Sequence, residues 1–240
     1  MELANKSYSS GIYLFTDFLG LPEQSVFDSL LPEIRGIPYT AFGGAVGTER
    51  IMIRFGSEEL SGYTEDFPIV CIKAEPRSEK FAEPLSHRDY LGALMNLGIE
   101  RSTLGDIAIV GSAAYIFAKE SIAPYIVSSL SRVRHTDVKL SLTDEVPTGE
   151  LYKTERRRIQ AVGERLDAVI AKVYSISRED SLSLFRRGLV FASGRELSNN
   201  SYIPKVGEIV SVRGFGRFIY LGYSSTSKKG KLNIDIDVYV

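Results

Sequence analysis

Residues 165–213 decide the fold of the C-terminal third of the chain, and they read RLDAVIAKVYSISREDSLSLFRRGLVFASGRELSNNSYIPKVGEIVSVR. Four apolar residues near the start recur at i, i+3, i+4 and i+7, the spacing of one helix face: Leu166, Val169, Ile170 and Val173. Arg165 and Lys172 lie off this apolar stripe. The pattern predicts a helix that packs with one side and presents positive charge on another.

A second short helix is predicted at residues 178–187. Ser177 stands at its N-cap position, and Asp180 stands at the N3 position of a capping-box pattern. Gly188 suits the left-handed residue that commonly follows the last turn of a helix. The segment therefore carries both a start signal and a stop signal.

The two faces of this second helix differ in character. We expect its apolar residues Leu182 and Phe185 to pack against the first helix. Its basic residues lie at the two ends, and the late arginines also suit the negative end of the helix dipole. These basic residues are Arg178, Arg186 and Arg187.

The order of short segments across this stretch resembles the RNA-binding domain first described in the small-subunit ribosomal protein S-four. The matching segments are Arg165-Leu166-Asp167, Ser177-Arg178, Gly188-Leu189-Val190, Ser193-Gly194 and Gly207-Glu208-Ile209-Val210-Ser211-Val212-Arg213. Two departures are mild, Ala192-Ser193-Gly194 for Val-Asn-Gly and Gly207-Glu208 for Gly-Asp. The resemblance implies a C-terminal domain that binds folded RNA.

A second resemblance covers nearly the whole chain. The run SHRDYLGALMNLGI at residues 86–99, followed by Gly105-Asp106-Ile107, is similar to the central signature of the bacterial YlmH family, and the segment 213–218 fits the end of that family's RNA-binding domain. The resemblance implies a non-enzymatic factor of ribosome-associated quality control. Such a factor binds ribosomal RNA of a large subunit obstructed by peptidyl-tRNA, supports C-terminal tailing, and has peptidyl-tRNA and other quality-control factors as further partners.

Composition excludes several classes of protein. The chain has 240 residues, of which 44% are hydrophobic and 25% charged, which is ordinary for a soluble globular protein. Apolar runs end well before the roughly 18 residues of a membrane helix, and the N-terminus lacks a signal-peptide pattern. We therefore expect a cytoplasmic protein without membrane association. Cys71 lies in an apolar run and is expected to be a buried, inert thiol.

Charge is segregated along the chain. Residues 1–150 hold 13 basic and 21 acidic side chains, a formal charge of −8, whereas residues 151–240 hold 16 and 9, a charge of +7. The basic part coincides with the segment that resembles an RNA-binding domain, which favours RNA contact there. We expect the acidic part to contact a protein or tRNA partner instead.

The predicted fold class is α+β, with three domains and a basic linker. The parts are an N-terminal α+β domain (1–62), a ferredoxin-like (RRM-like) βαββαβ domain (63–145), a basic linker (146–158) and an S-four-type RNA-binding domain with a C-terminal hairpin (159–240). A polar connection at 143–150 marks the main boundary.

Individual elements follow from periodicity and turn residues. The predicted elements are helices near 11–19 and 23–33, a hairpin at 39–55 turning at Gly43 to Gly47, then strand 67–74, helix 87–97, strands 106–110 and 113–118, helix 120–131 and strand 136–142. Alternating residues from Leu232 to Val240 predict a half-buried strand that pairs with residues 217–221.

Tyr115 and Phe117 lie on the third strand of the βαββαβ segment, where RNA-recognition domains stack bases. Their surroundings lack the basic opening and the spaced aromatic residues of that motif. We therefore expect both to be half-buried sheet residues. The acidic character of this region agrees with that interpretation.

Signals for catalysis or metal binding are weak. The two histidines, His87 and His135, lie far apart in sequence, and neither cysteine nor histidine clusters at metal-ligand spacing, so we expect no metal and no cofactor. His87-Arg88-Asp89 lacks the other parts of a kinase site, and Ser86 with Asp89 fits a helix capping box. Asp167 is expected to be a first-turn helix residue favoured by the dipole.

The predicted RNA-binding residues form a basic strip that follows phosphates without reading sequence. They are Arg156, Arg157, Arg158, Arg165, Lys172, Ser177, Arg178, Arg186, Arg187, Arg213, Phe215 and Arg217. Phe215 either stacks on a base or packs within the protein. Two alternatives to an RNA-binding adaptor stay open, an RNA-modifying enzyme with its active site in residues 1–145 and a cell-division-linked scaffold with incidental RNA binding.

Overall fold

The computed structural model describes residues 1–147, 154–227 and 230–239. It contains both helices and strands, as the sequence predicts, and forms two compact units, Met1–Leu151 and Tyr152–Val240. Residues 143–147 of the predicted boundary at 143–150 lie within the described residues, and residues 148–150 lie outside them.

The first unit contains two antiparallel sheets. The smaller has the strand order β1–β3–β2 and the larger the order β5–β6–β4–β8–β7. The elements are α1 (Glu2–Ser10), β1 (Leu14–Phe15), α2 (Leu21–Leu30), β2 (Tyr39–Phe42), β3 (Met52–Phe55), α3 (Glu58–Ser61), β4 (Ile69–Pro76), α4 (His87–Asn96), β5 (Leu104–Val110), β6 (Ala113–Lys119), α5 (Ala123–Ser129), β7 (Arg132–Val133) and β8 (Thr136–Thr143).

The N-terminal elements depart in part from the sequence-based prediction. The helix predicted near 11–19 is wrong, because Gly11 adopts φ 62° and ends helix α1 at Ser10. Helix α2 begins two residues before the predicted start, with Pro22 in its first turn. The predicted hairpin is present, since Tyr39 pairs with Phe55 across β2 and β3.

The central elements follow the predicted order of strand, helix, two strands, helix and strand, with the short β7 added before the last. Helices α4 and α5 pack on one face of the five-stranded sheet around buried residues such as Ile72, Leu94, Ile116 and Ile126. The capping box at the start of α4 is confirmed, because the Ser86 backbone and hydroxyl both donate to the Asp89 carboxylate.

The separate domains predicted at 1–62 and 63–145 pack as one unit. The half-buried Arg50 guanidinium donates to the carbonyl oxygens of Phe18 and Leu104 at 2.8 and 2.9 Å. Asp106 accepts from the backbone N–H groups of Glu49 and Arg50 at 2.6 and 3.0 Å. Burial lowers the pKa of Arg50 against the opposing effect of nearby carboxylates. These contacts tie the two predicted domains together through backbone groups.

The sheet face opposite α4 and α5 is covered at β6. Tyr115 and Phe117 are sheet residues as predicted, but at 8% and 1% exposed they are buried rather than half-buried. Gly44 lies directly over the Phe117 ring, where an added Cβ would stand 2.3 Å from Phe117 Cδ1. The glycine turn predicted at 43–47 therefore also permits a close approach of backbone to this ring.

The described residues of the second unit form one six-stranded antiparallel sheet of order β11–β10–β12–β13–β14–β9 and two helices. Leu166, Val169, Phe218, Ile234 and Ile236 are among its fully buried core residues. The elements are β9 (Thr154–Ala161), α6 (Leu166–Val173), α7 (Arg178–Arg186), β10 (Val190–Ala192), β11 (Arg195–Glu196), β12 (Ile209–Val212), β13 (Gly216–Thr226) and β14 (Leu232–Tyr239).

Both helices of the quoted stretch and the final strand pair are confirmed, with Phe218 opposite Val238. The face of α7 was predicted only in part. Phe185 is buried as expected, but Leu184 rather than Leu182 accompanies it. The buried residues of α7 are thus Ser181, Leu184 and Phe185. They lie at positions i, i+3 and i+4, and the first of them is polar.

The basic linker predicted at 146–158 differs from the structure. Residues 154–158 belong to β9, which pairs along its whole length with β14. Strand β9 is thus the edge of the C-terminal sheet, and its three arginines lie on a fixed strand. Residues 148–153 of the predicted linker lie outside the described residues.

The close contact at Gly44 gives a test of the first unit. Gly44→Ala should destabilise the protein by about 1–3 kcal/mol more than Gly36→Ala, because only Gly44 would press a methyl group into Phe117. Gly36 is the matched control, since it also has a positive φ, 90°, but an added Cβ there meets nothing within 4 Å. Urea unfolding measures the difference, and equal losses would contradict the packing described.

Candidate nucleic-acid interface

A buried carboxylate organises the basic helices of the second unit. Asp167 is fully buried in the first turn of α6. Its carboxylate accepts hydrogen bonds from Arg165 at 3.2 and 3.3 Å, from Arg178 at 3.1 and 3.3 Å, and from Asn200 Nδ2 at 3.3 Å. The backbone N–H of Ala168 donates to it at 2.9 Å. One carboxylate thus binds two arginines, one at the start of each helix.

The charge of Asp167 is stabilised despite its burial. Burial alone would raise the pKa of this carboxyl, but the hydrogen bonds from Arg165, Arg178 and Asn200 outweigh that effect and lower the pKa below its ordinary value. The carboxylate is therefore ionised at neutral pH. Two guanidinium charges against one carboxylate leave this cluster with net positive charge.

Arg165 and Arg178 are held by this carboxylate and still reach solvent. Their side chains are 45% and 58% exposed. The contacts to Asp167 use Nε and Nη2 of each guanidinium, and an arginine has five N–H donors. The remaining donors are available to an anion such as a phosphate, in an orientation that the buried carboxylate fixes.

Three more predicted residues lie exposed on the same two helices or directly after them. Lys172 and Arg187 make no side-chain hydrogen bond or ion pair to a residue in the described ranges. Arg186 is 65% exposed and lies 3.4 Å from Glu179, which is still more exposed, so the contact contributes little to stability. These side chains add positive charge that internal carboxylates scarcely neutralise.

Ser177 caps the N-terminus of helix α7 in this structure. Its hydroxyl accepts from the Asp180 backbone N–H at 3.0 Å and donates to the Asp180 carboxylate at 2.7 Å. The predicted N-cap is confirmed by these bonds. A contact between Ser177 and RNA stays a prediction.

Each of the three arginines of β9 is paired with its own carboxylate, whereas Arg165 and Arg178 share one. Arg156 and Arg158 lie opposite Asp237 and Asp235 of β14, and the Arg158–Asp235 distance is 2.6 Å. These hydrogen bonds raise the pKa of both arginines. Arg157, on the other face of the strand, pairs with Glu155 at 2.8 Å. The predicted phosphate-tracking arm is thus a strand whose positive charges face carboxylates.

The β12–β13 turn carries the last predicted residues. The Arg213 and Arg217 guanidiniums lie 5.0 and 4.5 Å from the ring centroids of Phe191 and Tyr239. Phe215 packs against Tyr174 with ring centroids 5.3 Å apart and is still 45% exposed. Packing is thus one role of Phe215, and base stacking by its open face stays a prediction.

Two residues of the interface escaped the sequence analysis. The buried Ser181 hydroxyl donates to the backbone oxygen of Asp167 at 2.8 Å, which ties α7 to α6. Asn200 supplies its side-chain amide to the carboxylate and its backbone oxygen to the Asp167 N–H. Ser181 could have been found as the polar member of an i, i+3, i+4 set with Leu184 and Phe185. No local signal marks Asn200, because its partner lies 33 residues away.

Other kinds of site find no support in the part of the chain that the structure describes. Its His, Cys, Asp and Glu side chains form no group of three or more able to hold a metal ion. No helix there combines the length and apolar character needed to cross a membrane. Cys71 is buried, and burial raises the pKa of its thiol to about 12, as expected for an inert cysteine.

Comparison with known proteins gives a consistent picture. Residues 63–146 match the family model described as "Putative RNA-binding domain in YlmH". The chain is 28% identical over 227 residues to "Ribosome-associated protein quality control protein P2" of Bacillus subtilis, covering 92% of this chain and 86% of that protein. A solved structure, "Cell division protein ylmH from Streptococcus pneumoniae", is 21% identical with a TM-score of 0.47, covering 60% of this chain and 86% of that one.

A shorter match has a different name. The chain is 32% identical over 146 residues to the "Acetyl-coenzyme A carboxylase carboxyl transferase subunit alpha" of Rubrobacter xylanophilus. That match covers 59% of this chain and only 44% of the relative, so it transfers no activity.

Residues 63–146 carry the domain of this family model, and the similarity to the Bacillus subtilis protein extends over most of the chain. The chain is thus similar to proteins of the YlmH family. The matched domain lies in the first unit, in the region where the sequence analysis found little support for RNA binding.

The buried carboxylate predicts a specific dependence of stability on pH. Asp167→Asn should lower the free energy of unfolding at neutral pH by about 1–3 kcal/mol, because charge-assisted hydrogen bonds are lost. The folded pKa of Asp167 lies below the ordinary 3.8. Its stabilisation is therefore fully present above the unfolded pKa and is lost as the pH falls through the folded one.

Urea unfolding of wild type and Asp167→Asn from about pH 7 to about pH 2.5 tests this expectation. The difference should be constant down to about pH 5 and shrink below about pH 4. Asp66→Asn is the matched control, since Asp66 is exposed. A difference that stays unchanged to the lowest pH would contradict the role given to Asp167.

Proposed function

We propose that this protein is a non-enzymatic RNA-binding factor of ribosome-associated quality control. In this proposal it binds ribosomal RNA of large subunits obstructed by peptidyl-tRNA and supports C-terminal tailing of the stalled chain. Peptidyl-tRNA and other quality-control factors would be further partners. A factor with these partners would act in the cytoplasm.

The observation that carries the proposal is the arginine pair at Asp167. A buried carboxylate orients Arg165 and Arg178 before any ligand arrives, so less side-chain freedom is lost on binding. Planar guanidinium groups match the geometry of phosphate oxygens better than ammonium groups do. Lys172, Arg186 and Arg187 extend this positive surface along the two helices.

Such a surface suits the shape of RNA rather than its sequence. Contacts to phosphates fix register and orientation but carry no sequence information. Structured RNA is recognised mostly by shape and by unpaired bases that reach the protein. We infer that the target is a folded RNA, with Phe215 at the β12–β13 turn as the residue available for an unpaired base.

The comparisons support this function over the two alternatives. The relative that shares most of its length with this chain carries ribosome-associated quality control in its name, and the family model names RNA binding. In the proposed architecture the second unit is an S-four-type domain with a C-terminal hairpin, and the central part of the first unit is ferredoxin-like. The element order and sheet orders described above are compatible with both assignments.

Sedimentation with ribosomes tests the proposal and the named surface. Tagged wild type from lysate should sediment with free large subunits in a sucrose gradient. Arg186→Ala/Arg187→Ala should bind at least about tenfold more weakly and move to the top, because two charge-assisted contacts are lost. Wild type that stays at the top even at low salt would contradict binding to the large subunit.

Arg156→Ala/Arg158→Ala is the matched control for this experiment. It removes the same number of positive charges from the same unit, but from side chains that face Asp237 and Asp235. We expect this variant to sediment close to wild type. Equal losses for the two double variants would show that total charge, rather than the helical surface, governs binding.

A further inference from the structure

An open groove of about 630 Å³ lies on the helical side of the five-stranded sheet in the first unit. Helix α4 forms one wall, and the segment from the end of α5 to the turn after β7 forms the other. Arg88 comes from the first wall, and Arg132 and Arg134 come from the second. All three arginines are exposed. Three guanidinium groups from two segments thus face one groove in the acidic part of the chain.

The carboxylates around this groove neutralise its arginines incompletely. Arg132 Nε donates to Asp137 at 2.7 Å, a bond that leaves its two terminal nitrogens available. Arg134 lies 3.6 Å from Asp89 and 3.9 Å from Glu83, beyond hydrogen-bond distance. Arg88 makes no hydrogen bond or ion pair to any residue that the structure describes. Donors from all three arginines can therefore reach an anion.

A glycine in the groove supports access by a ligand. Gly92 lies inside α4, where glycine costs about 1 kcal/mol of helix stability relative to alanine. Packing does not require it, because an added Cβ would meet nothing within 4 Å. Gly92 lines the groove and is exposed. A residue without a side chain there leaves the helix backbone open to close approach.

The opposite face of the sheet is closed at the position where related folds bind RNA. Phe117 is 1% exposed and lies under Gly44, and Tyr115 is 8% exposed. Neither ring can stack on a base without displacing the covering residues. RNA that binds this part of the chain would therefore need another surface, and the groove is an exposed basic one.

We propose that the groove of Arg88, Arg132 and Arg134 binds phosphate groups of an RNA backbone, as a second RNA contact separate from the helices of the C-terminal unit. The proposal rests on the RNA-binding function proposed above and names the surface by which the first unit takes part. The open shape of the groove allows a strand to pass along it. Free nucleotides share the phosphate chemistry and are distinguished by experiment.

The test uses the full chain and a fluorescently labelled tRNA transcript, with affinity measured by anisotropy at several salt concentrations. Arg88→Gln/Arg132→Gln/Arg134→Gln should weaken binding about tenfold. The slope of log affinity against log salt should become shallower by about 2, at roughly 0.7 to 0.9 per lost phosphate contact. The matched control, with the same change in net charge, is Lys6→Gln/Arg35→Gln/Lys139→Gln, three exposed positions of the same unit.

The control should retain the wild-type slope. If the two triple variants behave alike, the groove does not bind RNA and the proposal is overturned. Loss of affinity in Arg186→Ala/Arg187→Ala with no effect in the groove variant would overturn this inference and leave the proposed function standing. Wild type without any affinity for RNA would instead count against both.

A second variant obstructs the groove without removing charge. Gly92→Gln should weaken tRNA binding severalfold at an unchanged net charge, whereas its thermal midpoint should equal or exceed that of wild type, because glutamine favours the helix. Wild-type affinity in Gly92→Gln would contradict the proposal.

Groove-dependent binding of ADP or of poly-glutamate, with tRNA binding unaffected by the groove variants, would assign the groove to a nucleotide or an acidic protein and overturn the RNA assignment.

Discussion

The buried carboxylate of Asp167 is the interaction on which the C-terminal unit depends. Removing such a charge from water costs several kcal/mol unless hydrogen bonds and opposite charges compensate. Here the compensation comes from Arg165 at the start of α6, Arg178 at the start of α7 and Asn200 from the segment before β12. Each partner must be in place for the carboxylate to be satisfied. The same requirement that joins these three segments therefore also fixes the direction in which two arginines face solvent.

In the first unit, the positive charge of Arg50 is likewise compensated by hydrogen bonds. Arg50 is half-buried and donates to backbone carbonyl oxygens, and Asp106 accepts from the backbone N–H groups beside it. Gly105 leaves space between Phe18 and Phe117, where an added Cβ would stand 2.8 Å from Phe18 Cε1 and 2.9 Å from Phe117 Cβ. The short segment Gly105-Asp106, which resembles a family signature, thus has a structural explanation. Its residues join the two sheets, whereas the exposed arginines of the groove lie elsewhere in the same unit.

Sequence patterns predicted those parts of the fold that depend on interactions between residues close together in the chain. The apolar stripe of α6, the capping box at Ser86, the N-cap at Ser177 and the alternation along β14 each depend on residues a few positions apart. Helix α1 was missed because its sequence is polar and lacks a strong apolar stripe. Leu184 was missed because a buried serine interrupts the apolar pattern of α7. The basic residues of the two helices were predicted from residue type and helical position. The contact of Asn200 with Asp167 and the ion pairs of β9 with β14 were not, because their partners lie 33 to 81 residues apart in sequence.

Net charge gives an incomplete account of where such a protein can hold an anion. Residues 151–240 carry a formal charge of +7, yet Arg156 and Arg158 face carboxylates across the sheet. Residues 1–150 carry −8, yet three arginines line one groove on their helical side. Electrostatic attraction over long distances follows the sum of charges and is screened within about 10 Å at physiological salt. A bound phosphate responds mainly to the donors within its reach, so the placement of each arginine relative to its nearest carboxylate decides which surface binds.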